Sequence, residues 1–374
     1  MMKILIGDIF KSKAQTLVNT VNCVGVMGKG IALEFKRRFP EMYEDYIGRC
    51  DRKKVKVGAP YLFKTLLPPQ ILNFPTKTDW RASSRISDIK NGLEYLVKHY
   101  KEWGITSLAV PPLGCGSGQL EWEEVGPLLY DRLKAMDIPI ELYAPYGTPP
   151  QQVSVNFLKQ YAERTVSSGD KQVSPKLNPA WVALIEILHR IEEQPYHPPI
   201  GRIIFQKIAY VATEQGLPTG LHYSRGSFGP FANELKKVTA KLANSNLIQE
   251  KQVKQMFVMT TGSNYSQVRK RFGTQLAQWE PILEKTTDLF MRLNTQQAEV
   301  VATVLFAANE LKARKTKLSE KDVLEAVMQW KLRRRPPLEE PEVVSTIRHL
   351  GMLHWCNLVP SRELPVVEEE LVGV

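Results

Sequence analysis

The chain of 374 residues has no apolar stretch of the length needed to cross a bilayer, which is about 20 residues. Its N-terminal run, Lys3 to Ile6, is interrupted at once by Gly7 and Asp8, so it is too short for the core of a secretory signal. These absences argue against a membrane protein. We therefore expect a cytoplasmic location and no membrane partner.

Cysteine and histidine are scarce as well. The 4 cysteines are widely spaced and form no C-x-x-C pair, and the 6 histidines are not clustered. A disulfide framework or a zinc site needs such groupings. We therefore expect neither a metal nor a cofactor.

Composition and length are those of an ordinary folded protein with more than one core. Hydrophobic residues make up 43% of the chain and charged residues 24%, and 374 residues exceed the usual size of a single core. The net charge of +11 favours polyanionic partners such as nucleic acid, although many proteins of similar charge bind none. The sequence thus predicts two domains and leaves nucleic-acid binding open.

The first part of the chain alternates short β-type runs with helical patterns. Apolar residues recur at helical spacing over 31–39, 86–97 and 125–133. This alternation predicts a layered α/β domain over residues 1–155 with a mostly parallel sheet. The predicted strands are Met2 to Ile6, Leu17 to Val21, Tyr61 to Thr65, Ile71 to Phe74, Leu108 to Pro111 and Ile140 to Ala144.

The pattern weakens after this region and then becomes helical. Residues 156–178 are predicted to be a linker, with a short helix over Val155 to Ala162 at its start. Residues 179–360 are predicted to form a mainly helical second domain, followed by a tail over 361–374. The helical apolar stripes run over 181–191, 203–211, 231–242, 300–311 and 323–330.

Two glycine-rich loops each follow an apolar, β-branched run. The first is Gly25 to Gly30, and the second is Gly114-Cys-Gly-Ser-Gly118. Neither matches a Walker motif or the dinucleotide fingerprint. One such loop could serve only a tight turn, but two on the same sheet favour a cradle of backbone N–H groups around a diphosphate.

Several polar residues near these loops could carry chemistry. Asp8 could accept a hydrogen bond from an exocyclic amine such as that of adenine, or it could cap the next turn. Asn22 ends an apolar strand, where its amide could bind a sugar hydroxyl or a backbone group. Lys77 lies among apolar and cationic neighbours that could activate its amine, although most lysines are simply solvated. Cys115 is interpreted as a packing residue.

These motifs together resemble the macrodomain family. The matching segments are Gly7-Asp8-Ile9, Leu17 to Asn22 and Pro111 to Gly116. The run Val21 to Gly30 and the element Asn73 to Lys77 are most similar to DarG-type macrodomain antitoxins, the partners of DarT toxins that ADP-ribosylate thymidine in single-stranded DNA. The resemblance implies a three-layer α/β/α macrodomain with a mixed, mostly parallel sheet, followed by a mainly α-helical second domain.

The resemblance also implies a function. The first domain would bind ADP-ribose and hydrolyse it from thymidine bases of single-stranded DNA, and the second would bind and block a DarT-like toxin. Alternatives are a hydrolase acting on modified protein or on ADP-ribose derivatives, and a reader of ADP-ribose without catalysis. In the second domain, the basic runs over 269–271 and 333–335 leave DNA binding as a competing role.

The family pattern assigns roles to individual residues. Asp8 would contact adenine, Asn22 the distal ribose, and Lys77 would attack the anomeric carbon. Relatives carry an acidic residue just after the Gly-Cys-Gly loop, whereas this chain has Ser117 and Gly118, so Asp79 or a water is left as the proton-transfer partner. The predicted catalytic residues are Lys77 and Asn22, and the predicted ADP-ribose contacts are Asp8, Ile9, Asn22, Gly28, Lys29, Gly30, Ile31, Thr76, Pro112, Leu113, Gly114, Cys115, Gly116, Ser117, Gly118, Gln119 and Leu120.

Overall fold

The computed structural model describes residues 2–159, 177–253 and 256–364. The chain divides into two compact units, Met1–Pro175 and Lys176–Val374. Most of the predicted linker and of the predicted tail lies outside the described residues.

The first unit is built on a sheet of six strands. They run in the order β1-β6-β5-β2-β4-β3, and every neighbouring pair is parallel except β3 and β4. All six strands predicted from the sequence are confirmed, to within about two residues at each end. The strands are β1 (Met2–Leu5), β2 (Thr16–Val21), β3 (Tyr61–Phe63), β4 (Gln70–Pro75), β5 (Leu108–Val110) and β6 (Ile140–Tyr143).

Helices cover both faces of this sheet. The described helices are α1 (Gly30–Arg38), α2 (Pro40–Asp51), α3 (Ile86–His99) and α4 (Trp122–Leu133), with short 3-10 turns at Ile9–Lys11 and Pro150–Val153. Of the helix predicted at Val155, residues 155–159 are helical and the rest lies outside the described residues. The sequence patterns did not reveal α2.

Alternate strand residues face the two helical layers. Leu17 and Ile71 belong to a core cluster with Phe35 of α1 and Tyr46 of α2. Their neighbours in the strands, such as Val18, belong to a second cluster with the buried residues of α3 and α4. This alternation is the period of two expected for a strand buried on both sides. It gives the three layers of a macrodomain-like α/β/α fold.

The second unit is mainly helical, as predicted, with two hairpins that the apolar stripes did not reveal. The stripe predicted over 231–242 is wrong at its start, because Phe231 ends a strand and the helix begins at Leu235. The helices are α5 (Pro179–Glu192), α6 (Arg202–Glu214), α7 (Leu235–Asn244), α8 (Tyr265–Arg271), α9 (Gly273–Gln278), α10 (Glu280–Phe290), α11 (Thr295–Lys312), α12 (Glu320–Lys331) and α13 (Glu340–Met352). The hairpins are β7 (Ser224–Gly226) with β8 (Gly229–Phe231), and β9 (Ile248–Val253) with β10 (Met256–Thr261).

Buried charges attach the β7–β8 hairpin to the helices. Lys207 of α6 donates to the Pro230 carbonyl at 2.8 Å, and Lys331 of α12 donates to the Ser227 carbonyl at 2.8 Å and to Glu299 of α11 at 2.9 Å. Burial lowers the pKa of Lys207 to about 7. Because each ammonium is paired with an oxygen, the cluster is explained by its role in holding the hairpin to the helices.

No helix in the described part of the chain combines the length and hydropathy that a membrane crossing requires.

Two helical glycines of the first unit provide a test of its packing. An added Cβ at Gly92 of α3 would lie 2.4 Å from the ring of the buried Phe74, whereas at Gly48 of α2 it would meet the flexible end of Arg52 at 3.4 Å. We expect Gly92→Ala to lower the free energy of unfolding by about 1–3 kcal/mol through overpacking. The matched control, Gly48→Ala, should raise it by up to about 1 kcal/mol through helix propensity. Urea unfolding measures both, and a Gly92→Ala protein of unchanged stability would contradict the packing described.

Candidate functional site

The fold creates a crevice at the carboxyl edge of the sheet, between the adjacent parallel strands β2 and β5. After β2 the chain passes to α1 and α2 on one face, and after β5 it passes to α4 on the other. Loops that leave neighbouring parallel strands toward opposite faces open a gap, and this is where open α/β sheets bind ligands. Both glycine-rich loops border this gap.

Asp8 lies just beyond β1 and caps the 3-10 turn that follows. Its Oδ1 accepts a hydrogen bond from the backbone N–H of Phe10 at 3.0 Å. The turn packs beside α1, where the rings of Phe10 and Phe35 have centroids 4.7 Å apart. The capping alternative is therefore realised, although a carboxylate has a second oxygen for another donor. The side chain of Ile9 is in the core, so its backbone is the part that could face a ligand.

Asn22 organises the first glycine-rich loop. Its Nδ2 donates to the Val26 carbonyl at 2.5 Å, and its Oδ1 accepts from the Val24 N–H and from the Tyr46 hydroxyl at 3.0 Å each. The amide of Asn22 thus binds backbone groups, which is one of the two alternatives expected for it. Its contact with a distal ribose stays a prediction. The role of Tyr46 was missed, because α2 showed no signal in the sequence.

The same loop leads into the N-terminus of α1. Gly25 and Gly30 have φ values of +79° and +56°, in the region that favours glycine. Lys29, the N-cap residue of α1, provides no side-chain cap, and the first turn contains no acidic residue. The first N–H groups of a helix lack partners within it and attract anions. Gly28 to Ile31 therefore form a suitable site for phosphate oxygens.

The second glycine-rich loop, 112–120, is a series of tight turns. The N–H of Cys115 donates to the Pro112 carbonyl at 3.1 Å, and the N–H of Leu120 donates to the Gly114 carbonyl at 3.0 Å. Leu113 and Leu120 are buried and anchor its ends in the core. The loop shape is thus fixed by its own backbone before any ligand binds.

A further contact supports this loop from outside. The Ser84 N–H donates to the Gly118 carbonyl at 2.9 Å, so residues just before α3 also support the loop. No sequence pattern indicated this role for Ser84. Burial raises the pKa of the Cys115 thiol to about 12, which makes it a poor nucleophile at neutral pH and agrees with its interpretation as a packing residue.

Lys77 links the loop after β4 to the loop after β5. Its side chain is only 8% exposed, and its Nζ donates to the carbonyls of Trp80 at 2.9 Å and Ser117 at 3.1 Å. The same segment is joined to the loop after β2, because the Thr76 N–H donates to the Val21 carbonyl at 2.9 Å. The structure therefore brings Lys77 to both glycine-rich loops.

The Asp79 carboxylate, two positions after Lys77, is engaged by Arg81. Asp79 accepts hydrogen bonds from the backbone N–H of Arg81 at 2.8 Å and from its Nε at 3.0 Å. These bonds hold the pKa of Asp79 below its ordinary value, so it is a weak base. A water thus fits the role of proton acceptor better than Asp79 does.

Among residues 2–159, 177–253 and 256–364, no group of histidine, cysteine and acidic side chains could hold a metal ion.

Comparison with known proteins identifies the fold of the first unit. The family model described as Macro domain matches residues 18–129. The macrodomain of Mycobacterium tuberculosis DarG is 45% identical, with 39% of this chain and 98% of that chain covered and a TM-score of 0.38. The first unit is therefore a macrodomain and is similar to that of DarG-type proteins. A structure of Thermosipho africanus DarTG in complex with ADP-ribose is 42% identical, with 42% of this chain and 45% of that chain covered and a TM-score of 0.40.

The similarity to two of the curated relatives extends into the second unit. The DNA ADP-ribosyl glycohydrolase of Thermus aquaticus is 35% identical over 246 residues, which is 65% of this chain and 64% of that protein. The match to the protein of the same name from Mycobacterium tuberculosis, at 36% identity, also covers 64% of that protein and 62% of this chain. The chain thus spans somewhat less than two thirds of the length of these DarG-type relatives.

Two glycines of the second loop test its architecture. A Cβ at Gly118 would lie 2.5 Å from the Gly114 carbonyl oxygen, whereas a Cβ at Gly116 would meet nothing within 4 Å. We expect Gly118→Ala to force the loop backbone apart and to lower the free energy of unfolding by about 1–3 kcal/mol. Gly116→Ala is the matched control and should stay within about 0.5 kcal/mol of the parent protein. Thermal unfolding without ligand gives both values, and equal effects would show that the turns are not as described.

Proposed function

We propose that the first unit binds ADP-ribose and hydrolyses the bond that joins it to thymidine bases of single-stranded DNA. The observation that carries the proposal is the position of Lys77, whose Nζ lies 3.1 Å from the Ser117 carbonyl oxygen in the second glycine-rich loop. Such an amine is next to the site proposed for the diphosphate and is held by two backbone carbonyls. The relatives named DNA ADP-ribosyl glycohydrolase agree with this chemistry.

The binding mode follows from the order of the loops along the sheet edge. The N-terminus of α1 and the loop 112–120 would hold the diphosphate from its two sides through backbone N–H groups. Asp8, beyond the edge strand β1, would contact adenine through the carboxylate oxygen that does not cap the turn. Asn22 and Thr76, which follow the central strands β2 and β4, would lie toward the distal ribose.

The reaction breaks the bond between the anomeric carbon and the base. The base leaves with the bonding electron pair and takes up a proton, while a nucleophile forms a new bond to the carbon. Lys77 can attack only after its ammonium has lost a proton, and water then hydrolyses the resulting adduct. The structure offers a rigid position for this amine, and solvent at the crevice could accept the proton.

Two variants of Lys77 separate its chemistry from its contacts. We expect Lys77→Ala to keep ADP-ribose binding within a few-fold and to slow release from an ADP-ribosylated oligonucleotide by about 100-fold or more, because the attacking group is gone. Lys77→Arg keeps a cation that can reach the same carbonyls but is not a nucleophile, so it should be inactive too. The exposed Lys98 provides a control in Lys98→Ala. Full turnover by Lys77→Arg would show that only the contacts matter.

A reader without catalysis is the second candidate, favoured by Ser117 and Gly118 at the place where related hydrolases carry an acid. Release by the parent protein together with no release by Lys77→Ala would exclude it. Parallel assays on modified protein and on free ADP-ribose derivatives would show whether DNA is the preferred substrate.

We further propose that the second unit binds and blocks a DarT-like ADP-ribosyltransferase. Its large helical core is held by buried ion pairs of structural character, and no candidate metal cluster occurs among its described residues. One relative, from Thermosipho africanus, is named as a fusion of a DNA ADP-ribosyl transferase with a DNA ADP-ribosyl glycohydrolase. The rival role is DNA binding through the basic run 333–335.

The full chain carrying Lys77→Ala provides the test of this second role. Because hydrolysis is removed, any protection of DNA must come from binding. We expect the variant to abolish ADP-ribosylation of an oligonucleotide by the purified transferase at a molar ratio near one to one. The unmodified oligonucleotide in excess should not relieve the block. Undiminished transferase activity at a tenfold excess of the variant would exclude toxin blocking.

A further inference from the structure

An exposed tryptophan follows the lysine of the proposed active site. Trp80 lies three positions after Lys77 and is 50% exposed, although tryptophan is usually well buried. Its own carbonyl accepts the hydrogen bond from Lys77 Nζ at 2.9 Å. The indole is thus half in water, on a residue whose backbone binds the buried amine.

The turn that carries Trp80 is rigid on its inner side. Asp79 is buried and binds Arg81 through three hydrogen bonds, from its backbone N–H and from Nε and Nη2. The Ala82 N–H closes the turn on the Asp79 carbonyl at 3.0 Å. The guanidinium carbon of Arg81 lies 5.5 Å from the centroid of the Trp80 ring, within cation–π range. The indole is therefore held in place rather than left to move freely.

We propose that Trp80 is the stacking surface for the base that leaves the anomeric carbon. This inference rests on the proposed function and names the group that would recognise the DNA side of the substrate. The base is bonded to the carbon that Lys77 would attack, and the backbone of Trp80 touches the amine of Lys77, so the base and the indole would be neighbours. Asp79 and Arg81 act as positioning residues that fix the ring.

Stacking suits this substrate for a physical reason. A base of single-stranded DNA has an open π-face, and aromatic side chains bind such faces without requiring a particular hydrogen-bond pattern. A preorganised ring loses little freedom on binding. The contact is made before the bond breaks and persists as it breaks, so it should act mainly on KM rather than on kcat. A substrate in which ADP-ribose is attached to a group other than a base would gain no binding energy from this stacking.

The experiment compares Trp80→Leu with Trp80→Phe in the full chain. Both keep an apolar side chain, but only phenylalanine keeps a π-face. With an ADP-ribosylated single-stranded oligonucleotide, we expect Trp80→Leu to raise KM by about 5- to 150-fold with kcat changed by less than about threefold. Trp80→Phe should recover most of the loss. Binding of free ADP-ribose, measured by calorimetry, should be unchanged in both variants.

Two controls complete the design. Tyr95→Ala removes another partly exposed aromatic residue, one that stacks on His99 with centroids 4.1 Å apart, and should leave KM unchanged. An equal KM for parent and Trp80→Leu, or an equal loss of free ADP-ribose affinity, would overturn the stacking role while the proposed hydrolysis stands. If the parent protein itself releases no ADP-ribose from the oligonucleotide, both proposals fail.

Discussion

The hydrogen bonds from Lys77 to the carbonyls of Trp80 and Ser117 join loops that belong to different parts of the sequence. They bridge the loops after β4 and β5, while the contact between Thr76 and Val21 adds the loop after β2. A buried ammonium needs hydrogen-bond acceptors or opposite charge around it, and these two carbonyls are acceptors for Lys77. The amine and the proposed phosphate sites are therefore fixed by one shared network, and a change in one loop would be felt by the others.

This network depends on the sheet beneath it. Because β2, β4 and β5 are parallel neighbours, their carboxyl ends meet at one edge, and the divergence of the loops after β2 and β5 opens the crevice there. Glycines at the points of positive φ let the backbone turn sharply, and buried residues such as Leu113 and Met27 anchor the loops in the core. The rigidity of the site thus comes from the core rather than from a ligand.

The second unit follows a different principle. Its helices surround an extensive apolar core, and buried ion pairs such as Lys331 with Glu299 join neighbouring helices. Because a buried charge without its partner is costly, such pairs favour one arrangement of the helices over others. A fixed surface of this kind is suited to recognising a protein partner, which is the role proposed for this unit.

Local pattern determined much of what the structure shows. The six strands, most of the long helices and both glycine-rich loops could be predicted, because strand and helix periodicity and glycine-rich turns are properties of neighbouring residues. Helix α2 was not predicted, and neither were α8, α9, α10 and α13, which lie outside the apolar stripes found in the sequence. The two hairpins of the second unit escaped because their strands are short or polar. The proposed roles of Asp8, Asn22 and Lys77 came from resemblance and were not derivable from periodicity.

Only the tertiary structure decided how those residues meet. That Tyr46 and Ser84 support the crevice depends on contacts between residues that are distant in the sequence. Lys77 and Ser117 are 40 positions apart, yet their atoms are within hydrogen-bonding distance. The sequence by itself determined the elements and the chemistry available to them. The packing of the sheet and its two helical layers determined which groups share the crevice, because folding alone brings distant loops to the same edge.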